Sequence, residues 1–244
     1  MHYDDIRQKM RNWRLTQDYA LQYVAFSSAA EALLKTADRL MSSAENIRNN
    51  EASFTAYTQI ASGCKNIHRG FYCPSQIQDL VGGVRRGKRI SRLTSKSHTY
   101  YLYGFDSEDR LIWSKEYFNS NPVYTELLIY EDSKVYGLTF QSDNTLSIVT
   151  EETYENGKLI RYKKLFLTDA VQSNVIDMTQ EEYTYEDDTL VFCDEYILSP
   201  AIMLLTHDRT TFVSNKDNKQ QYYVEKLIGL SDFEVLTRSG LYDV

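Results

Sequence analysis

Four sets of residues in this chain have the types and spacing that chemistry requires. Gly82-Gly-Val-Arg-Arg-Gly87-Lys88 has the GxxxxGK spacing of a phosphate-cradling loop, where glycines let backbone amides close on phosphate and a lysine reaches the outer oxygens. Arg89 stands where a magnesium-binding Ser or Thr belongs, and no hydrophobic strand ending in an acidic metal ligand is apparent, so a flexible basic connector is the better reading. Cys64, His68 and Cys73 offer three zinc-type ligands in a short span, but structural zinc sites use C-x2-C pairs and four ligands, so buried or idle thiols are the default and no metal is expected. His207-Asp208 is the one close His/Asp pair; without a nucleophile motif around it, a loop after a strand is its simpler meaning.

The fourth set is acidic: Glu151-Glu152, Glu181-Glu182, Glu186-Asp187-Asp188 and Asp194-Glu195. Carboxylates massed on a rigid sheet can keep an exposed edge from aggregating, or can steer and select a basic partner. The charge map favours partner docking as a site to examine. The chain carries 27 basic and 34 acidic side chains, net −7. By segment this resolves to +1 over residues 1–79, +6 over 80–105, −13 over 106–198 and −1 over 199–244. The +6 segment holds Arg85, Arg86, Lys88, Arg89, Arg92 and Lys96 with no acid between them. That strip could contact nucleic-acid phosphate, although the adjacent −13 block would repel it, so an acidic protein surface is the better match.

The elements that must position these residues fall into two textures. Tyr19, Tyr23, Phe26, Ala30, Leu33, Ala37, Leu40, Ala44 and Ile47 recur with 4,3 spacing and predict an amphipathic helix or helix pair. Its e and g positions lack the charges that select an external coiled-coil partner, so the alanine-rich seam is expected to pack inside the chain. Ser28 with Glu31 has capping-box spacing and marks a place where the helix could restart. A second amphipathic stretch through Phe54, Tyr57, Ile60 and Ala61 is expected to fold back on the first. From His98 the chain turns to β-branched and aromatic runs separated by polar turns. Tyr130-Glu-Asp-Ser-Lys-Val135, Tyr154-Glu-Asn-Gly-Lys-Leu159 and Tyr185-Glu-Asp-Asp-Thr-Leu190 read as hairpin turns, with looser copies at Phe105–Leu111 and Phe140–Leu146.

The expected fold is therefore α+β: a helical region over 1–79, a basic connector over 80–97, and a large antiparallel β-meander over 98–244, with the helices covering one face of the sheet. The 20 tyrosines suit a wide, half-covered sheet that needs rings buried and hydroxyls wet. No apolar run approaches a membrane span, the N-terminus lacks an apolar signal core, and three cysteines do not make a secreted disulfide framework, so a cytoplasmic protein is expected.

The hairpins loosely resemble YD-type repeat sheets in turn geometry. In overall character, an acidic α+β chain with a hairpin-rich sheet and no catalytic motif, residues 98–228 resemble the immunity proteins of bacterial contact-dependent and polymorphic toxin systems. The resemblance implies a non-enzymatic protein without a cofactor, neutralising a basic toxin domain such as a nuclease through Glu151, Glu152, Glu181, Glu182, Glu186, Asp187, Asp188, Asp194 and Glu195. The alternatives are nucleic-acid binding through the strip from Arg85 to Lys96, and small-ligand carriage on a sheet lined by Tyr101, Tyr103 and Trp113.

Overall fold

The apolar 4,3 repeat does form one long helix, α1 (Gln17–Asn49), followed by a single turn, α2 (Glu51–Phe54). The computed structural model describes residues 12, 16–63, 67–78, 85–94, 97–168, 174–199, 204–214, 219–227 and 238–243. The chain is α+β: a helix, then an antiparallel meander. It divides into two units, residues 33–174 and residues 1–32 with 175–244.

In the 33–174 unit, β1 (Tyr57–Ser62), β2 (Arg89–Ile90), β3 (Thr99–Phe105), β4 (Leu111–Phe118), β5 (Asn121–Glu131), β6 (Lys134–Gln141), β7 (Leu146–Glu155) and β8 (Lys158–Thr168) lie in the order β8-β7-β6-β5-β4-β3-β1-β2. The hairpin turns expected from the tyrosine-acid pattern are present. Asp132, Asn156 and Asn144 take positive φ at the β5–β6, β7–β8 and β6–β7 turns, the left-handed geometry that Asn and Asp tolerate best.

Two faces of this sheet are covered differently. On one, Trp113, Leu127, Leu138, Val149 and Leu165 form a row of directly opposed residues across β4 to β8, each 2% exposed or less. The second half of α1 belongs to this face: Arg39 makes a two-point ion pair with Glu131 at 2.6 and 2.7 Å, and the Arg48 guanidinium lies 4.1 Å from the Phe140 ring centre. Leu33, Ala37, Leu40 and Ala44 are all 3% exposed or less, so the alanine seam is internal. On the other face Tyr101, Tyr103, Phe105, Leu128 and Val135 pack with Ala61, Phe71 and Tyr72.

In the second unit, β9 (Asn174–Glu186), β10 (Thr189–Ser199), β11 (Leu204–Ser214), β12 (Lys219–Leu227) and β13 (Arg238–Asp243) continue the antiparallel pattern. The first half of α1 packs here. Phe26 meets Tyr196 at 4.9 Å between ring centres, and the Leu205 amide donates to the Tyr19 hydroxyl at 3.1 Å.

Three expectations need correction. The stretch through Tyr57, Ile60 and Ala61 is strand β1, not a returning helix; it pairs with β3 in register Ile60↔Leu102 and with β2 at Ile60↔Ile90. A window this short fits either period, and cross-strand pairing decided it. The helix runs unbroken through Ser28, which stays exposed on its outer side. Residue 79 does not separate helix from sheet, because β1 lies before it and β2 lies inside the connector.

Close packing along the helix seam has a measurable consequence. Ala44 has no exposed surface, and a leucine there has nowhere to go. Ala44→Leu is expected to cost about 1–3 kcal/mol in chemical denaturation; unchanged stability would show that α1 is not closely docked there.

Candidate functional site

The segment from Ile67 to Gln78 crosses the second face of the 33–174 unit, and two strand tyrosines fix its backbone. From β3, the Tyr101 hydroxyl donates to the Ile67 carbonyl at 3.1 Å and the Tyr103 hydroxyl donates to the Arg69 carbonyl at 2.9 Å. Tyr103 also accepts from the Phe71 amide at 3.1 Å, and the Tyr72 hydroxyl donates to Gln59 Oε1 at 2.6 Å. Arg69 is left-handed, with φ 60°, and Gly70 follows at φ 56°, where a Cβ would lie 2.6 Å from the Tyr101 ring. Only glycine lets the chain turn this close to the tyrosine.

This turn drives the Arg69 side chain into the sheet face, leaving it 4% exposed. Nε and Nη2 donate to the two oxygens of Glu126 at 2.9 and 2.8 Å, and Nη1 donates to Glu152 Oε1 at 2.7 Å. Glu126 is on β5 and Glu152 on β7. Between them on β6 is Gly137, where a Cβ would collide with Glu126 Oε1 and Thr150 Oγ1, so the missing side chain is what admits the carboxylate. Burial alone would raise the Glu126 pKa, but the Arg69 guanidinium outweighs it and holds the carboxyl at about 2. Burial works against Arg69 too, and the charges of Glu126 and Glu152 overcome it, raising its pKa. The Tyr154 hydroxyl completes the group by donating to Glu152 Oε2 at 2.6 Å.

His68 sits beside this triad, Nε2 3.4 Å from Thr139 Oγ1 and Nδ1 3.1 Å from the Tyr162 hydroxyl. Its Nε2 is also 3.5 Å from Glu126 Oε1, but burial, aided by Arg69 and Lys164, pushes the imidazole pKa down to about 4 against the pull of Glu126. At neutral pH the ring is uncharged and that contact is not an ion pair. A cavity of about 210 Å³ adjoins the group, with His68, Arg69, Ser114, Glu126, Thr139 and Lys164 in its wall.

The acidic residues expected to dock a partner are split by strand geometry. Neighbours on a strand point to opposite faces, so Glu152 joins Arg69 while Glu151 turns the other way and takes Lys163 at 2.8 Å and Lys134 at 3.1 Å. Both are buried. Asp194 is buried as well, held by His207 Nε2 at 2.9 Å and by Arg209 through two donors at 2.7 and 2.8 Å. Burial opposes the Asp194 charge, but those partners leave its pKa below the usual carboxylate range. Glu181 is buried with the Tyr183 hydroxyl donating to it. Glu182 and Glu195 are half-buried, and Glu186, Asp187 and Asp188 are exposed at the β9–β10 turn. His207 lies within β11, not in a loop, and faces Asp194 rather than its sequence neighbour Asp208.

The basic strip is divided too. Arg85, Lys88, Arg89 and Arg92 are exposed, whereas Arg86 is half-buried and donates to the carbonyls of Cys73, at 2.6 Å, and of Ser75. The Arg89 guanidinium lies 5.4 and 5.7 Å from the Phe71 and Tyr72 ring centres. Gly82, Gly83 and Lys96 lie outside the described residues, and the Lys88 amide donates to Ser62 Oγ at 2.9 Å instead of standing free to cradle phosphate. Cys64 is outside them as well; Cys73 Sγ contacts Gln78 Oε1 at 3.2 Å, and no group of three metal-type ligands occurs among the described residues. Of the tyrosine-lined sheet, Tyr101 reaches the cavity, Tyr103 is sealed under Arg69, and Trp113 is on the opposite face, its Nε1 donating to Thr55 Oγ1 at 2.8 Å.

The Arg69 centre went unseen in the sequence because its members are 57 and 83 residues apart and the left-handed turn has no motif. It predicts a pH dependence. His68 is favoured neutral when folded, with its pKa lowered from 6.5 to about 4, so its stabilisation is complete above pH 6.5 and falls away as pH drops towards 4. The loss amounts to about 3 kcal/mol. Glu126 adds a further loss below pH 4.5. Chemical denaturation of His68→Asn should flatten the slope between pH 6.5 and 4; an unchanged slope would contradict the assignment. The chain matches no family model and no curated protein.

Proposed function

We propose that the chain is a non-enzymatic binding protein of the bacterial cytoplasm that neutralises a basic protein partner, in the manner of the toxin-immunity proteins it resembles. The partner class is a cationic toxin domain such as a nuclease. The observation that carries this reading is the β9–β10 hairpin. Residues 174–199 contain eight carboxylates (Asp177, Glu181, Glu182, Glu186, Asp187, Asp188, Asp194 and Glu195) and no Lys, Arg or His. The register sets Glu181 opposite Glu195 and Glu195 opposite Asp208, with Lys226 of β12 next in the row. The sign of this hairpin and its exposed Glu186-Asp187-Asp188 turn would draw in and orient a basic surface. The field is felt inside the sheet: Cys193 has its thiol pKa raised by burial and then by Glu181, Glu195 and Asp194.

This narrows the docking residues. Glu151, Glu152 and Asp194 are buried, whereas Glu186, Asp187 and Asp188 are exposed at the turn, so the contact falls on those three, with half-buried Glu195 further along β10. No helix among the described residues is long and apolar enough to cross a membrane.

The test is a binding titration against the toxin domain encoded beside the gene, with Glu186→Lys, Asp187→Lys and Asp188→Lys combined. Wild-type protein should bind with an affinity that falls as salt rises, and the triple variant should bind at least about tenfold more weakly, mainly through a slower on-rate. Salt-independent binding, or full retention by the variant, would sink the reading.

A further inference from the structure

The cavity beside Arg69 contains charge that the fold itself does not use. Its polar wall includes Glu126, spent on Arg69 through both oxygens, and His68, shared between Thr139 and Tyr162. Lys164 is different. It is 9% exposed, lines the cavity, and its ammonium lies 5.0 Å from the Phe166 ring centre, yet no carboxylate or hydrogen-bond acceptor pairs with it among the described residues. A buried cation without an anionic partner is costly in a folded protein. The Tyr124 hydroxyl, also on the cavity wall, has no internal partner among the described residues either. Ile67, Tyr101, Ile148 and Phe166 make the rest of the lining largely apolar.

We propose that this cavity binds a small organic carboxylate, its anion on Lys164 and its single-ring or short-chain body against Ile148 and Phe166. Size agrees: a cavity of about 150 Å³ holds one benzene, and this one is about 210 Å³. One cation and one hydroxyl match a monoanion; a phosphate dianion calls for a second cation, and Arg69 is spent on Glu126 and Glu152. Orientation follows from register. Lys164 on β8 aligns through Thr150 and Gly137 with Leu128 on β5, whereas Glu116 aligns with Tyr124, four residues along that strand. The carboxylate of Glu116 is therefore at the end of the cavity away from Lys164, where it would repel a ligand bound in reverse.

The site lies wholly within the 33–174 unit and does not depend on docking at the β9–β10 hairpin, so either reading can fail alone. Calorimetric titration of the intact chain with benzoate and with its neutral counterpart benzamide tests it. Benzoate should bind one-to-one with Kd of about 0.1–1 mM, and benzamide at least about tenfold more weakly. Lys164→Met should erase the preference for benzoate, and Ile148→Trp, which fills the cavity, should abolish binding of both. The proposal is overturned if benzoate shows no saturable binding up to about 10 mM, if wild-type protein binds the two probes equally, or if Lys164→Met keeps the preference. The wild-type comparison stands whether or not either variant folds.

Discussion

A guanidinium taken out of water must find carboxylates or leave the fold, and Arg69 is taken out of water by a left-handed backbone turn that offers it no other exit. Its two partners come from β5 and β7, and the first, Glu126, is admitted by a missing side chain on β6. The position of the whole 67–78 segment follows. Tyr101 and Tyr103 carry its carbonyls, Phe71 and Tyr72 cover Phe105, and the neutral His68 fills the space between the triad and Tyr162. With α1 on one face of the 33–174 sheet, the second face would stand open. Here a short segment closes it, anchored by one buried ion triad, and the cavity is the space this segment does not fill.

The acidic excess has two physical fates. In the 33–174 unit, strand alternation separates neighbouring glutamates to opposite faces and gives each its own cations, so Glu151 and Glu152 are structural. In the β9–β10 hairpin Asp194 is matched by His207 and Arg209 from β11. Glu181 and Glu195 oppose each other across the ladder, and Glu186, Asp187 and Asp188 are exposed at the turn. A net charge summed along the sequence cannot separate these cases, because it ignores which face each residue takes.

Much of the architecture was legible from residue spacing. The 4,3 stripe gave α1 and its internal alanine seam, and the repeated aromatic-acid-Asn/Asp turn gave the hairpins at Asp132, Asn156 and Asp187, since left-handed turn residues have a strong local signature. Strands with weak alternation were harder. β9 reads as an acid cluster, and β1 as part of a helix until its pairing with β3 is known. The candidate site was least visible. Its residues occupy the 67–78 segment and six strands, β3 to β8, and nothing local marks Arg69 as buried or Lys164 as facing a cavity.

Arg69 and Glu126 act as one unit, and a double-mutant cycle measures that directly. With Arg69→Met, Glu126→Leu and the pair combined, each single change should cost about 3–5 kcal/mol in chemical denaturation, because it strands a buried charge. The double variant should recover a large part of that loss, giving a coupling energy of about 2 kcal/mol or more. Effects that add to within about 0.5 kcal/mol would contradict the claim that this pair holds the segment on the sheet.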